Sequence, residues 1–177
     1  MLVYGRPSAQ RNAFSLIVEG LRIWRHRFPL ASTWTILSAG QPHSNIDLGD
    51  GVVIKSMGKL SLKNYAYALG ESSVGLSLMV SPHPSYPPLE MAHYGMWVIT
   101  NKYENKDISL WHDNILSIND CSPENIANNL ITLCQRIEAD PMSGWEGKSH
   151  IEDYVSDAPL FPFIEELCEL LQKSADF

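Results

Sequence analysis

Apolar residues along this chain follow two rhythms: short unbroken runs, and stripes at three- and four-residue spacing. Met1–Tyr4 is a short apolar run and predicts a strand, after which Gly5-Arg6-Pro7-Ser8 reads as a turn with Ser8 as a helix cap. Phe14, Ile17, Leu21, Trp24 and Phe28 make a helical stripe that Pro29 ends. Thr33–Ser38 predicts a second strand, closed by Ala39-Gly40. The polar segment Gln41–Asp50, with its proline and glycine, reads as loop. Val52–Ser56 predicts a third strand ending in Met57-Gly58, and Ser61 caps a helix that runs to the region of Leu69.

The densest stretch is Gly75–Asn101, GLSLMVSPHPSYPPLEMAHYGMWVITN. It reads as a buried strand (Gly75–Val80), a proline-rich loop (Ser81–Pro88), a short helix (Leu89–Tyr94) stopped by Gly95, and a second strand (Met96–Thr100). Such a βαβ unit implies parallel strands and a right-handed crossover. Lys102–Asn114 then reads as polar loop, Ile115–Ile118 as a strand, and Ser122-Pro123-Glu124 as a helix start. The following stripe is Ile126, Leu130, Leu133 or Cys134, and Ile137. Beyond Asp140 the chain is irregular and acidic until a last amphipathic helix bearing Ile164, Leu167, Leu170 and Leu171. Strands alternate with helices, without internal repeats or a linker-like stretch. The prediction is one α/β domain over residues 1–177, with a doubly wound, mostly parallel sheet.

Composition narrows the picture. At 177 residues, 45% hydrophobic and 19% charged, the chain has the make-up of a folded soluble domain. No apolar run approaches the ~20 residues of a membrane helix, and MLVYGRPS is no secretory signal. Cys121, Cys134 and Cys168 have neither paired nor metal-type spacing and read as free thiols in a reducing compartment. The expected location is the cytoplasm, with the inner face of the membrane open to a full-length protein. The net charge of −7 hides an asymmetry: five arginines and one acid, Glu19, fall in the first 27 residues, whereas ten acids and two lysines follow from Glu138 onward. A cationic N-terminal region in an acidic chain points to a local anion site and away from a nucleic-acid surface. For Arg22, Arg25 and Arg27 the preferred reading is a solvated helix face.

Candidate chemistry sits where strands end, because ligands of such sheets lie outside the strands' carboxyl ends. Arg6 follows a strand and Arg11 belongs to the next helix, so both can face that crevice and bind a diphosphate. The plainer reading pairs Arg6 with a surface acid and leaves Arg11 solvated. Glu90 can accept hydrogen bonds from vicinal ribose hydroxyls, or merely complement a helix dipole for ~0.3–1 kcal/mol. Ser81, His83, Ser85 and Tyr86 lie in the proline-rich loop, where His83 is a weak candidate for a base. No G-x-S-x-G elbow, G-x-G-x-x-G loop, P-loop lysine or metal-ligand cluster is present in the sequence. Trp34, Trp97 and Tyr65 read as core.

Together these residues resemble the C-terminal, donor-binding half of a GT-B glycosyltransferase of family 4. In that family a strand ends in Gly-Arg with a lysine five residues on; here Gly5-Arg6 is followed by Arg11 at the lysine's place. Later strands end in glycine, as Thr33–Gly40 and Val53–Gly58 do, and the family's Leu-Glu-Ala-Met-Ala-x-Gly run reads Leu89-Glu90-Met91-Ala92-His93-Tyr94-Gly95. The resemblance spans roughly Tyr4 to Ile137. More narrowly, the YGRP opening and the SPHPSYPPLEMA loop are similar to rhamnosyltransferases of the WsaF type, which build bacterial polysaccharides from dTDP-rhamnose.

The resemblance implies donor diphosphate at Arg6 and Arg11, ribose at Glu90, sugar at Ser81, His83, Ser85 and Tyr86, and the base beside Met57 and Gly58. It implies a nucleotide sugar as substrate, no cofactor and no metal. One departure is Pro82, which stands where the family's E-x7-E region has its first glutamate. The implied partners are a glycan acceptor and an N-terminal acceptor domain, in cis or in trans, without which the enzyme is inactive. A helix near residues 158–172 would cross back to that domain. The alternative class is a non-catalytic, flavodoxin-like binding module.

Overall fold

The computed structural model describes residues 1–151 and 163–175. Seven strands form one sheet: β1 (Leu2–Gly5), β2 (Ile36–Gly40), β3 (Ile46–Gly49), β4 (Val52–Gly58), β5 (Val74–Leu76), β6 (Trp97–Asn101) and β7 (Ile115–Ile118). Their order is β3-β4-β2-β1-β5-β6-β7, and every neighbouring pair is parallel except β3 with β4. The doubly wound α/β fold is therefore present. The chain leaves β1 toward β2 on one side and returns to β5 on the other, so β1 marks the point where the winding reverses.

Helices α1 (Phe14–Arg27) and α4 (Pro123–Ala139) cover one face, and α2 (Leu62–Gly70) and α3 (Pro87–His93) belong to the other apolar cluster. The stripe of α1 is buried as its spacing requires, from Phe14 through Ile17 and Leu21 to Trp24. On α4 both Leu133 and Cys134 face inward. The two helices approach closely at Gly20, where a Cβ would fall 2.6 Å from Ile126 Cγ2. Capping follows sequence chemistry at α2 and α4: Ser61 accepts from the Asn64 N–H and Ser122 from the Asn125 N–H, each at 3.3 Å.

Several elements depart from the sequence expectation. Ser8 caps no helix; a 3-10 turn, Gln10–Asn12, comes first, and α1 starts after Ala13, a left-handed residue with φ 47°. Arg11 thus lies in that turn, ahead of the helix. The segment expected as loop, Gln41–Asp50, contains β3, whose Ile46 and Leu48 pack on the core while Asp47 faces out. The hairpin closes through Gly49-Asp50-Gly51, all at positive φ. Arg25 is no solvated residue: it pairs with Asp50, and only 15% of its side chain is exposed. Arg22 pairs with Glu19 at 3.5 Å and Arg27 donates to Asn128 at 3.3 Å.

β5 is shorter than the apolar run suggested. Past Leu76, the buried Asn101 side chain accepts from the Met79 N–H at 2.6 Å and donates to the Met79 carbonyl at 3.1 Å. A side chain replaces the ladder there. Beyond Asp140, Gly144 seats the 3-10 turn Ser143–Glu146 against the Gly95 carbonyl. Of the expected crossing segment, residues 158–162 lie outside the described residues. Helix α5 (Ile164–Ala175) carries Ile164, Leu167, Leu170 and Leu171 at 45–62% exposure.

Candidate functional site

The parallel strands end together at one edge, and a cleft of ≈ 710 Å³ opens there. Tyr4 and Arg6 extend from β1, Gly40 and Gln41 from β2, and Lys59 from β4, while Tyr65 and Glu90 come from α2 and α3. A smaller cavity of ≈ 270 Å³ adjoins it, lined by Arg11, Met79, Ser81, His83 and Ser85. Tyr4, Arg6, Tyr86 and Pro87 belong to both. The junction between the cavities is therefore at Arg6.

Arg6 is half-buried, Arg11 is exposed, and among the described residues neither guanidinium has an ion pair or a hydrogen bond. The surface-acid pairing weighed for Arg6 is not formed. Two unpaired cations beside a cleft can attract an anion. Lys59 lines the same cleft one residue past Gly58. Met57 and Gly58 do not line it; Gly58 turns the chain at φ 64° and Met57 is exposed, and the wall consists of Pro42, Lys59, Leu60 and Leu62.

Glu90 is exposed on the facing wall, and Tyr65 donates its hydroxyl proton to Glu90 Oε2 at 3.0 Å. Burial, reinforced by the neighbouring carboxylate, pushes the Tyr65 phenol well above its ordinary range, so it remains a donor. The bond fixes the carboxylate and leaves Oε1 free to accept. Tyr65 packs against the core, as the sequence suggested, and its hydroxyl end also forms part of the cleft wall.

In the loop, the Ser85 N–H donates to His83 Nδ1 at 3.0 Å, which leaves Nε2 to carry the proton of the neutral ring. Ser85 holds a left-handed φ of 66°, is 3% exposed, and among the described residues its hydroxyl has no partner. His83 meets the Tyr86 ring edge-on at 6.1 Å. The loop is anchored from behind. The Val80 N–H donates to the Arg11 carbonyl at 2.7 Å, and buried Asn12 donates to the Leu78 carbonyl at 3.1 Å. Lys106, 6% exposed, gives an Nζ hydrogen bond to the Met79 carbonyl, and desolvation pushes its ammonium down.

Sequence reasoning missed Lys59, Tyr65, Gln41 and this anchor. Lys59 had a signal: Gly58-Lys59 repeats the strand-end Gly5-Arg6 pattern in another parallel strand. The others depend on contacts between distant segments. Among the described residues no group of three or more His, Cys, Asp and Glu converges to hold a metal ion, and no helix is long and apolar enough to cross a membrane.

A family model described as the C-terminal domain of WsaF matches residues 1–131, about three-quarters of the chain. The chain belongs to the WsaF C-terminal domain family. The match contains strands β1 to β7 and all the cleft residues named above. A curated relative, the O-antigen biosynthesis protein RfbC of Myxococcus xanthus, is 34% identical over 98 residues. That alignment takes in 55% of this chain and 8% of RfbC, so this WsaF-family domain corresponds to a small part of that much longer protein.

Proposed function

We propose that this WsaF-family domain is the donor nucleotide-sugar-binding half of a glycosyltransferase of bacterial polysaccharide synthesis, with a dTDP-linked sugar, dTDP-rhamnose, as donor. The observation that carries the reading is the placement of unpaired Arg6 and tethered Glu90 on one cleft at the sheet's carboxyl edge. Arg6, with Arg11 and Lys59 on either side, grips the diphosphate; Glu90 takes the pentose hydroxyl on its free oxygen. The base lies against Pro42, Lys59 and Leu60, and the sugar reaches the smaller cavity under His83, Ser85 and Tyr86. As the glycosidic bond breaks, charge develops on the departing diphosphate, and the cations already stand where it forms. His83 Nε2 can donate to a sugar hydroxyl, and Pro82 brings no carboxylate to this cavity. The acceptor glycan and a second, acceptor-binding domain complete the reaction. The cytoplasm is the proposed site of action, because nucleotide sugars are the substrate. RfbC's name, an O-antigen biosynthesis protein, supports a polysaccharide product.

Calorimetric titration with dTDP and UDP tests the reading. The wild-type chain binds dTDP, and Arg6→Ala weakens it by about 10–100-fold, the range for losing a charge-assisted contact. Glu90→Ala weakens it less. No binding of either diphosphate by a chain with a normal thermal transition overturns the proposal.

A further inference from the structure

Gln41 sits at the mouth of the cleft and has no role in the reading above. Its backbone N–H donates to the Gly5 carbonyl at 2.8 Å, and Gly40 before it packs so tightly that a Cβ would fall 3.2 Å from Arg6 Cγ. The base of the Gln41 side chain is thus fixed beside Arg6. Its far end is fixed too. The Ser8 N–H donates to Gln41 Oε1 at 3.2 Å, and the Ser8 hydroxyl donates to the same oxygen at 2.7 Å.

A backbone N–H only donates, so these contacts settle which way the amide faces. The oxygen is consumed by Ser8, and the –NH2 group remains. Among the described residues it has no partner, and Gln41 lines the cleft together with Arg6 and Lys59. A rigid donor between cations, with its acceptor end already satisfied, matches an anionic oxygen and mismatches another donor. No charge need be desolvated to place it there.

We infer that the Gln41 amide donates to a phosphoryl oxygen of the nucleoside diphosphate, with Ser8 as the positioning residue that keeps the –NH2 turned inward. The inference rests on the donor-site reading and adds the neutral contact that orients the diphosphate between Arg6 and Lys59.

The experiment titrates dTDP and inorganic pyrophosphate into the 177-residue chain and its variants. Gln41→Glu keeps the oxygen that Ser8 needs and turns the second one, now anionic, toward the phosphates. It weakens both ligands by about tenfold or more, as facing like charges do. Gln41→Met removes the donor at constant length and weakens both by about 3–10-fold. Ser8→Ala gives a smaller loss that Ser8→Thr restores. Thermal transitions check that each variant is folded, and Gln41→Met serves if Gln41→Glu is not. Unchanged dTDP affinity in the folded Gln41 variants overturns the inference while leaving the donor site standing. So does a loss of dTDP binding with pyrophosphate binding intact, which would place the amide on the base or the pentose. Absence of binding by the wild type overturns the donor site itself, and this inference with it.

Discussion

The Val80 N–H donates to the Arg11 carbonyl at 2.7 Å, so the turn that carries the second arginine and the loop that carries His83 are held as one piece. Asn101 continues the attachment from β6 through both backbone groups of Met79. Asn101→Ala leaves a buried N–H unpaired and costs about 2–4 kcal/mol of stability, the penalty for orphaned backbone plus lost packing. Urea unfolding reads that cost. Because the loop lines the smaller cavity, the same variant loses more affinity for a nucleotide sugar than for the bare diphosphate.

Tyr65→Phe keeps the ring and removes the proton that Glu90 Oε2 receives. Affinity for dTDP falls by about 3–10-fold, within the net worth of one typical intramolecular hydrogen bond, while inorganic pyrophosphate binds as before. Equal losses for the two ligands would show that Tyr65 acts on the diphosphate end.

The loop between β6 and β7 supplies a pH dependence. Partial burial pushes the Asp107 carboxyl up, but hydrogen bonds from Lys102, Ser109 and Ser117 outweigh it and hold the group at about 2, below its ordinary 3.8. A carboxyl depressed on folding stabilises the native state above its unfolded value and loses that contribution as pH falls from 3.8 through about 2. With partial exposure discounted, the contribution near neutrality is about 1–2 kcal/mol. Asp107→Asn lowers stability by that amount at neutral pH, and its gap from the wild type closes toward pH ~2. Denaturant melts at the two pH values measure it.

Gly144→Ala is a control away from the cleft. Its Cβ would fall 1.9 Å from the Gly95 carbonyl oxygen, a backbone atom that cannot swing aside. The turn must shift, at a cost of about 1–3 kcal/mol. The contact lies at the amino end of β6, the opposite edge of the sheet, so dTDP affinity stays at the wild-type value.

Much of this was legible from local pattern. Runs such as Ile115–Ile118 and stripes such as Ile126–Ile137 fix strands and helices because burial acts residue by residue. Strand-end Gly5-Arg6 and the acid of Leu89-Glu90 sit on the cleft because the fold puts every such strand end at one edge. β3 was hidden, since an edge strand shows only Ile46 and Leu48 to the core and the rest of it is polar. Tyr65 was read as core because an aromatic at helical spacing looks the same whether its hydroxyl meets solvent, backbone or Glu90. At the Met57-Gly58 turn, glycine makes the turn and the side chain after it, Lys59, reaches the cleft.

Arg11 and Glu90 are both exposed to water, each on one of the two adjoining cavities. Attraction at such exposed groups is shortened by dissolved ions to about 8 Å at physiological strength. Capture by this domain therefore weakens as salt is raised. On the proposed donor-site reading, free phosphate and other cellular polyanions compete for the same arginines.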